Sequence, residues 1–388
     1  MGINFNMDSC LNSRLEQMCA EFGLDVSTVM KMFITTAVQT GKIPFKINDD
    51  ILKNEIAAQK DRVMKNYSRE INILLNTYPN DEREILRSKI ADDIYNIDAI
   101  SDFTVEDYFK FQLYRTPKKE WLRSYMSDGE LRTLRDKINT PVAGLDMGDK
   151  YVCYNEFKDY YKREMVRLVT KNDKYDFVAF VKKHNRVIIK PRYGASNLPI
   201  KILNYTDVSD WDFYIANIFD KYVDGIVAEE VIVQDDDMSV FNASSVNTLR
   251  VATFTANSKT QVFAFLRVGV DCSILDANSM RSLVCRLDQN TGEVLCVFDR
   301  YGNTITQHPN SDMNLIGLQV PDIKRVLKDA KKLAKMKSNY KYAAFDFARM
   351  NKQWMLVDFN NKPVISDLQL VFGRGFKQNI LRLVCDEI

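Results

Sequence analysis

Histidine is nearly absent from this 388-residue chain. Only His184 and His308 occur, which leaves little for a histidine-driven nucleophilic mechanism. Cysteines stand at Cys10, Cys19, Cys153, Cys272, Cys285, Cys296 and Cys385, an odd set without a C-x-x-C pair. They read as free thiols of a reducing compartment and argue against structural zinc. No apolar run approaches the ~18 residues that a membrane-spanning helix needs. The first fourteen residues lack the basic-then-apolar pattern of a signal peptide. An excess of one charge is missing too: 54 Lys and Arg face 52 Asp and Glu, so no global field steers the chain to nucleic acid or membrane. Glycine and proline are sparse, and no repeat or low-complexity tract appears. The cytoplasm is the expected location. What is present, 46% hydrophobic residues, suffices for two or more cored domains.

Residues 3–7 alternate, with Ile3, Phe5 and Met7 on one face and Asn4 and Asn6 on the other, the period of a strand. Asp8 or Ser9 can cap a helix to about Phe22, which Gly23 ends. Ser27 can cap a second helix through Thr40, stopped by Gly41 and Pro44. A lone short strand cannot satisfy its own backbone groups, so pairing with the same strand of a second chain is expected, giving a homodimer. The run Ile3-Asn4-Phe5, Gly23-Leu24, Ser27-Thr28, Met32-Phe33 and Gly41-Lys42-Ile43-Pro44-Phe45 resembles RelB/DinJ-type antitoxins, which are ribbon-helix-helix dimers. The resemblance implies that Asn4 and Asn6 read bases, as asparagine suits adenine. It also implies that the helix start at Ser27 and Thr28 holds a DNA phosphate. Residues 1–46 carry Arg14, Lys31, Lys42 and Lys46 against Asp8, Glu16, Glu21 and Asp25, a net charge of zero. Because phosphate neutralisation supplies most non-specific DNA affinity, dimerisation alone stays open beside DNA binding.

After this arm (1–46), residues 47–101 read as a helical connector. Ile51, Ile56, Val63, Ile71, Leu74 and Leu75 recur at helical spacing over 50–77; Tyr78-Pro79-Asn80-Asp81 breaks the pattern, and another helix runs to about Ile97. Its charge-rich faces read as solvated surface. Within the third segment, 102–388, the texture changes to α+β after residue 170: strands are expected at 187–189, 225–227, 249–255, 261–270, 343–348 and 354–359, with helices at 208–221 and 321–335.

Chemistry concentrates near the end. If a hairpin turn is centred on Lys352, Asp346 lies opposite Asp358 on one face. Opposed carboxylates repel across a ladder. A divalent cation between them, with Asn360 as a third oxygen ligand, would account for the pair and suits Mg²⁺. A solvent-facing strand edge whose acids are merely solvated is the other reading of the same geometry. Lys190-Pro191 closes an apolar strand ahead of Gly194, Ala195, Ser196 and Asn197, a lysine and small-residue loop able to hold phosphate. Glu229-Glu230-Val231-Ile232-Val233 follows another strand, and Ser244-Ser245-Val246-Asn247-Thr248-Leu249-Arg250 opens the next.

In this order, with Gly148-Asp149-Lys150, His308-Pro309, Pro321 and Asp358-Phe359-Asn360, the pieces resemble the ATP-grasp superfamily, specifically its sugar-transfer-associated members, from about residue 102 to 369. The resemblance implies an ATP-grasp fold behind the ribbon-helix-helix-like arm and connector. Lys150 and Lys190 would hold ATP phosphates, helped by Ser196 of the loop. Glu229, Glu230, Val231 and Val233 would form the hinge that meets adenine and ribose. Arg250 and Asn247 would lie near the γ-phosphate and an acyl phosphate, and Asp346, Asp358 and Asn360 would hold Mg²⁺. The implied reaction joins a carboxylate to an amine through an acyl phosphate, releasing ADP and phosphate, with a family association to cell-surface polysaccharide. Two departures stand out: the phosphate loop keeps only Gly194 and contains Leu198-Pro199, and Asp358 replaces the commoner glutamate. The full set Lys150, Lys190, Arg250, Asp346, Asp358 and Asn360 favours the enzyme; the altered loop and the antitoxin-like arm favour the alternative, a dimeric DNA-binding regulator whose ATP-grasp domain senses nucleotide.

Overall fold

The computed structural model describes residues 9–43, 49–95, 97, 101–194, 200–270 and 282–385. The strand expected at 3–7, with Asn4 and Asn6, and Ser196 of the phosphate loop lie outside the described residues. The chain divides into two compact units, Met1–Ile71 and Asn72–Ile388.

The first unit contains helices Ser9–Glu21, Val26–Thr40 and Asp49–Asn66. The second begins earlier than Ser27 suggested, because Asp25 is its cap: Asp25 accepts from the Thr28 amide at 2.8 Å and from the Thr28 hydroxyl at 2.9 Å. Those bonds hold the Asp25 carboxyl below its usual range. The helix start at Ser27 and Thr28 thus carries its own carboxylate where a DNA phosphate was expected, and the Thr28 N–H is already taken. Gly41 ends this helix at φ 65°, as its sequence foretold. No side chain of Val26–Thr40 is buried, and Met32 and Val38 stand exposed. The helix expected over 50–77 is interrupted at Tyr67, and Ser68–Leu75 forms a separate short helix.

In the second unit, helices Asn80–Ile94, Val105–Lys110, Lys118–Ser124 and Asp128–Ile138 come first. Phe103, Tyr108 and Trp121 interlock edge to face among them. A four-stranded antiparallel sheet follows, built from β1 (Met165–Leu168), β2 (Arg186–Pro191), β3 (Lys201–Asn204) and β4 (Ile226–Glu230) in the order β1-β4-β2-β3. Helices Lys174–His184 and Trp211–Lys221 cover it, burying Phe177, Val181, Ile215 and Ile218 against Val187, Ile189 and Ala228. Gly225 enters β4 at φ 79°, where a Cβ would lie 2.6 Å from the Leu168 carbonyl oxygen, so only glycine fits there.

The larger antiparallel sheet contains β5 (Thr248–Ala256), β6 (Lys259–Gly269), β7 (Ser282–Leu287), β8 (Val294–Phe298), β9 (Thr304–Ile305), β10 (Tyr342–Met350) and β11 (Gln353–Asn360). Their order is β11-β10-β5-β6-β7-β8-β9, so β11 is an edge. The amphipathic helix Ile323–Met336 lays Ile323, Val326, Ala330 and Leu333 into the main core. Between β10 and β11 the turn residues are Asn351 and Lys352, at φ 53° and 58°, with Met350 paired to Gln353. Continued unbroken, that register would set Asp346 against Val357. A bulge at Val357 shifts it by one and sets Asp346 against Asp358. The pairing matches the sequence reading, although the turn is centred half a residue earlier and the bulge restores the register.

Candidate active site

Lys190, at the end of β2, is buried, and its Nζ straddles the Glu229 carboxylate at 2.9 Å and 3.0 Å. Lys150 opens helix Lys150–Glu156, whose cap Asp149 accepts from the Tyr151 amide at 2.9 Å and pairs with Arg192 at 2.5 Å. The Lys150 amide donates to the Arg192 carbonyl at 3.0 Å, and Asp149 bridges Tyr193. These bonds stitch the helix start to the segment that leaves β2. A Cβ on Gly194 would lie 3.6 Å from Lys150 Nζ, so this lysine hangs over the first residue of the loop. Both lysines act on Asp358, where each favours the ionised form.

Across β5, β10 and β11, Arg250, Asp346 and Asp358 form one row. Arg250 donates to Asp346 through Nε at 2.7 Å and Nη2 at 2.6 Å, a bidentate pair. Burial opposes ionisation of Asp346, but the guanidinium overrides it and holds the carboxyl below its usual range. Asp358 differs. No hydrogen bond or ion pair from the described residues reaches its carboxylate. Burial raises its pKa, Lys150 resists, and Asp346 adds to the rise. A half-neutralised pair of facing carboxylates fits a hard dication. Asn360, opposite Ala344, accepts from the Lys362 amide through Oδ1 at 2.9 Å, which leaves a further lone pair on that oxygen. Among the described residues no three His, Cys, Asp and Glu side chains converge, so Mg²⁺ here would rest on two carboxylates, the Asn360 amide, water and phosphate.

Two expected side chains face elsewhere. Glu229 points between Lys190 and the buried Arg163, which donates to its Oε2 at 2.5 Å. Burial opposes its charge, yet Lys190 and Arg163 hold the carboxyl at about 2. It is therefore engaged with cations and not open to a ribose. Asn247 is 1% exposed, and its Nδ2 donates to Gln234 Oε1 at 3.0 Å and to the carbonyls of Met238 at 2.8 Å and Asn242 at 2.9 Å. Its amide braces the loop between β4 and β5, whereas Arg250, three residues on, turns to the carboxylates. His308 is buried, with Nε2 2.8 Å from the Gly269 carbonyl and Nδ1 accepting from the Asn310 amide at 3.2 Å, a structural histidine.

Of the residues expected as a hinge, Glu230 is the last residue of β4, and Val231 and Val233 follow it. The Glu230 amide donates to the Glu164 carbonyl at 3.1 Å, and the Val233 amide meets the Met350 thioether at 3.4 Å and no other acceptor among the described residues. Ile232 packs with Ala348, Met350 and Met355, forming an apolar group on the same strands as Asp346 and Asp358. Sequence reasoning missed two residues. Arg349 in β10 reaches Asp235 at 3.3 Å, Asp237 at 3.2 Å and Asp322 at 2.6 Å, holding the hinge to the large sheet. Arg163, its side chain wholly buried, lies in a run of three charged residues, Lys162-Arg163-Glu164, which signals surface and hides it.

Comparison with known proteins adds the following. The family model for sugar-transfer associated ATP-grasp matches residues 132–385, and that for the RelB antitoxin matches residues 1–72. A search of the curated proteins found no match. Among solved structures, D-alanyl-alanine synthetase A from Vibrio cholerae is similar at 11% identity, covering 62% of this chain and 65% of that one, with TM-score 0.40. The chain thus spans a little under two thirds of that protein's length. D-alanine–D-alanine ligase from Helicobacter pylori is similar at 15% identity over 67% and 69%, with TM-score 0.42. A RiPP-associated ATP-grasp ligase from Chryseobacterium gregarium, solved with ADP and a leader and core peptide, matches at 12% identity over 66% and 68%, with TM-score 0.36. With its family model covering well over half of the residues, the chain belongs to the sugar-transfer-associated ATP-grasp family.

Proposed function

We propose that this protein is an ATP- and Mg²⁺-dependent ligase that activates a carboxylate as its acyl phosphate and passes it to an amine or similar nucleophile. The observation that carries the reading is the row Arg250, Asp346 and Asp358, with Lys190 close enough to act on both carboxylates and Lys150 on Asp358. Phosphoryl transfer needs positioned positive charge more than covalent chemistry. Lys150 and Lys190 orient phosphate oxygens, and Arg250 supplies a guanidinium that can exchange its carboxylate for a phosphoryl group. Asp346, Asp358 and Asn360 are the residues to hold Mg²⁺, which when bound neutralises phosphate charge. The apolar group of Ile232, Ala348, Met350 and Met355 supports a purine site, with the weakly engaged Val233 amide as a donor. A solved ATP-grasp ligase named PsnB carries Mg and ADP with its minimal precursor, in keeping with these cofactors. By family association the acceptor belongs to cell-surface polysaccharide synthesis, in the cytoplasm; no helix among the described residues is long and apolar enough to cross a membrane. Calorimetric titration with ATP, with and without Mg²⁺, tests the core of the reading. Absence of Mg²⁺-dependent ATP binding would sink it.

The arm supports dimerisation as a second element. Its helices leave Met18, Met32 and Val38 exposed, and its capped helix start carries a carboxylate unsuited to DNA phosphate. Pairing of residues 3–7 between two chains is the proposed contact. Phe5→Pro, which removes a ladder donor, should convert a sedimenting dimer to monomer; two equal sedimentation profiles would remove the ribbon from the account. DNA contact by Asn4, Asn6, Ser27 and Thr28 keeps one direct test, enrichment of a sequence from a random pool at low salt.

A further inference from the structure

We infer that Arg163 is the positioning residue that fixes the phosphate-binding end of β2 to the carboxylate-bearing bulge of β11; the functional part of this inference rests on the ligase reading above. The Arg163 side chain has 0% exposure and lies over the Tyr161 ring at 5.0 Å. One branch of its guanidinium serves the small sheet, where Nη2 reaches Glu229 Oε2 at 2.5 Å and Glu229 in turn holds Lys190. The guanidinium also serves the large sheet, where Nη1 donates to the Leu356 carbonyl and Nη2, shared with Glu229, lies 3.4 Å from that of Val357. Val357 is the bulge residue that sets Asp358 against Asp346.

The need for such a donor follows from topology. Because β11 is an edge strand, its outward carbonyls have no neighbouring strand to bond, and a bulge adds further unmatched groups. Lys162 supplies the Trp354 carbonyl at 2.9 Å, and Arg163 supplies the next two outward positions. The chain then enters β1 directly, and the Glu164 carbonyl accepts from the Glu230 amide at 3.1 Å. Residues 161–165 therefore join the two sheets at the place where the lysine and the carboxylates must keep register. A planar fork can serve a carboxylate and two carbonyls together; a lysine ammonium in its place cannot span them. Sub-ångström register between Lys190 and Asp358 matters because both act on the same triphosphate in the proposed reaction.

Backbone hydrogen exchange on the full-length, nucleotide-free protein reads the tie itself. Arg163→Lys should speed exchange both in 187–190 of β2 and in 354–360 of β11. Glu229→Gln should speed it in β2 alone, because Arg163 still holds the bulge. Faster exchange in only one strand of Arg163→Lys overturns the tie. Titration with ATP then reads the functional part. Arg163→Lys should weaken binding roughly 10–100-fold, as loss of a supporting contact does, and adding Lys190→Met should cost little more. Fully additive losses, or normal binding by Arg163→Lys, overturn the positioning role. If Arg163→Lys does not fold, Glu229→Gln carries the test, and its unchanged ATP affinity overturns the proposal. A wild-type protein that binds no ATP overturns the ligase reading instead, and the exchange result still decides the structural tie.

Discussion

Arg250 and Asp346 face each other across β5 and β10 and share two N–H···O bonds, with both side chains about nine-tenths buried. This pair changes what the facing carboxylates mean for stability. From sequence alone, Asp346→Asn and Asp358→Asn should both relieve repulsion and spare the metal-free fold. The structure separates them. Asp346→Asn leaves the Arg250 charge buried without its counter-ion, which should cost about 3 kcal/mol. Asp358→Asn removes a carboxylate that has no ion-paired partner among the described residues and should be neutral or stabilising. Both variants should lose Mg²⁺-dependent nucleotide binding. Urea unfolding of the two metal-free variants decides the contrast; equal stabilities would mean that the Arg250–Asp346 pair contributes nothing.

Acid should act on these groups in opposite directions. Glu229 is held at about 2, against 4.5 unperturbed. Its contribution, about 3 kcal/mol by linkage, is complete above pH 4.5 and is lost as pH falls towards 2. Asp346 is depressed too and loses its share in the same direction. Asp358 is raised above 3.8, so its share is present at low pH and is lost as pH rises through the raised value. Acidification from neutrality should first relieve Asp358 and then release Glu229 and Asp346. Glu229→Gln should therefore lower stability throughout but flatten the acid limb of a melting-temperature profile. An acid limb as steep as that of the wild type would mean that other carboxylates govern it.

Much of this arrangement was legible because it follows short-range rules. Alternation marked Ala343 to Ala348 and Trp354 to Phe359 as strands, and Asn351-Lys352 between them closed a hairpin. The facing of Asp346 and Asp358 was read for an incomplete reason, since the turn alone puts Val357 there and only the bulge corrects it. Bulges leave little trace in hydrophobic period. Side-chain direction was the other limit. Glu229 and Asn247 occupy motif positions that suggested ligand contact, yet their partners come from Arg163, Lys190, Gln234 and Met238. Arg163 was invisible because its charge is satisfied by residues 66 and 193 positions away, Glu229 and Leu356.

Asn247 and Arg250 stand three residues apart in one motif, and the structure gives them different work. Asn247 joins Gln234, Met238 and Asn242, while the Gln234 side chain donates to the carbonyls of Asn242 and Ser245 at 2.7 Å each. Asn247→Ala should remove three bonds that tie this loop together, while Gln234 Oε1 and the Asn242 and Met238 carbonyls keep the Asn247 amide, Gln234 Nε2 and the Phe241 amide as donors, and should cost roughly 1–3 kcal/mol. Measured well below its lowered melting temperature, its ATP affinity should stay within about tenfold of wild type, because the side chain meets the loop and not the phosphate. Arg250→Met should behave in the opposite sense towards the reaction: turnover should fall by roughly 10²–10³-fold, with ground-state ATP affinity less affected. Parallel melts, ATP titrations and phosphate-release assays on the two variants separate bracing from catalysis. If Asn247→Ala melts like the wild type but abolishes turnover, the motif works as a catalytic unit and the bracing role assigned to Asn247 fails.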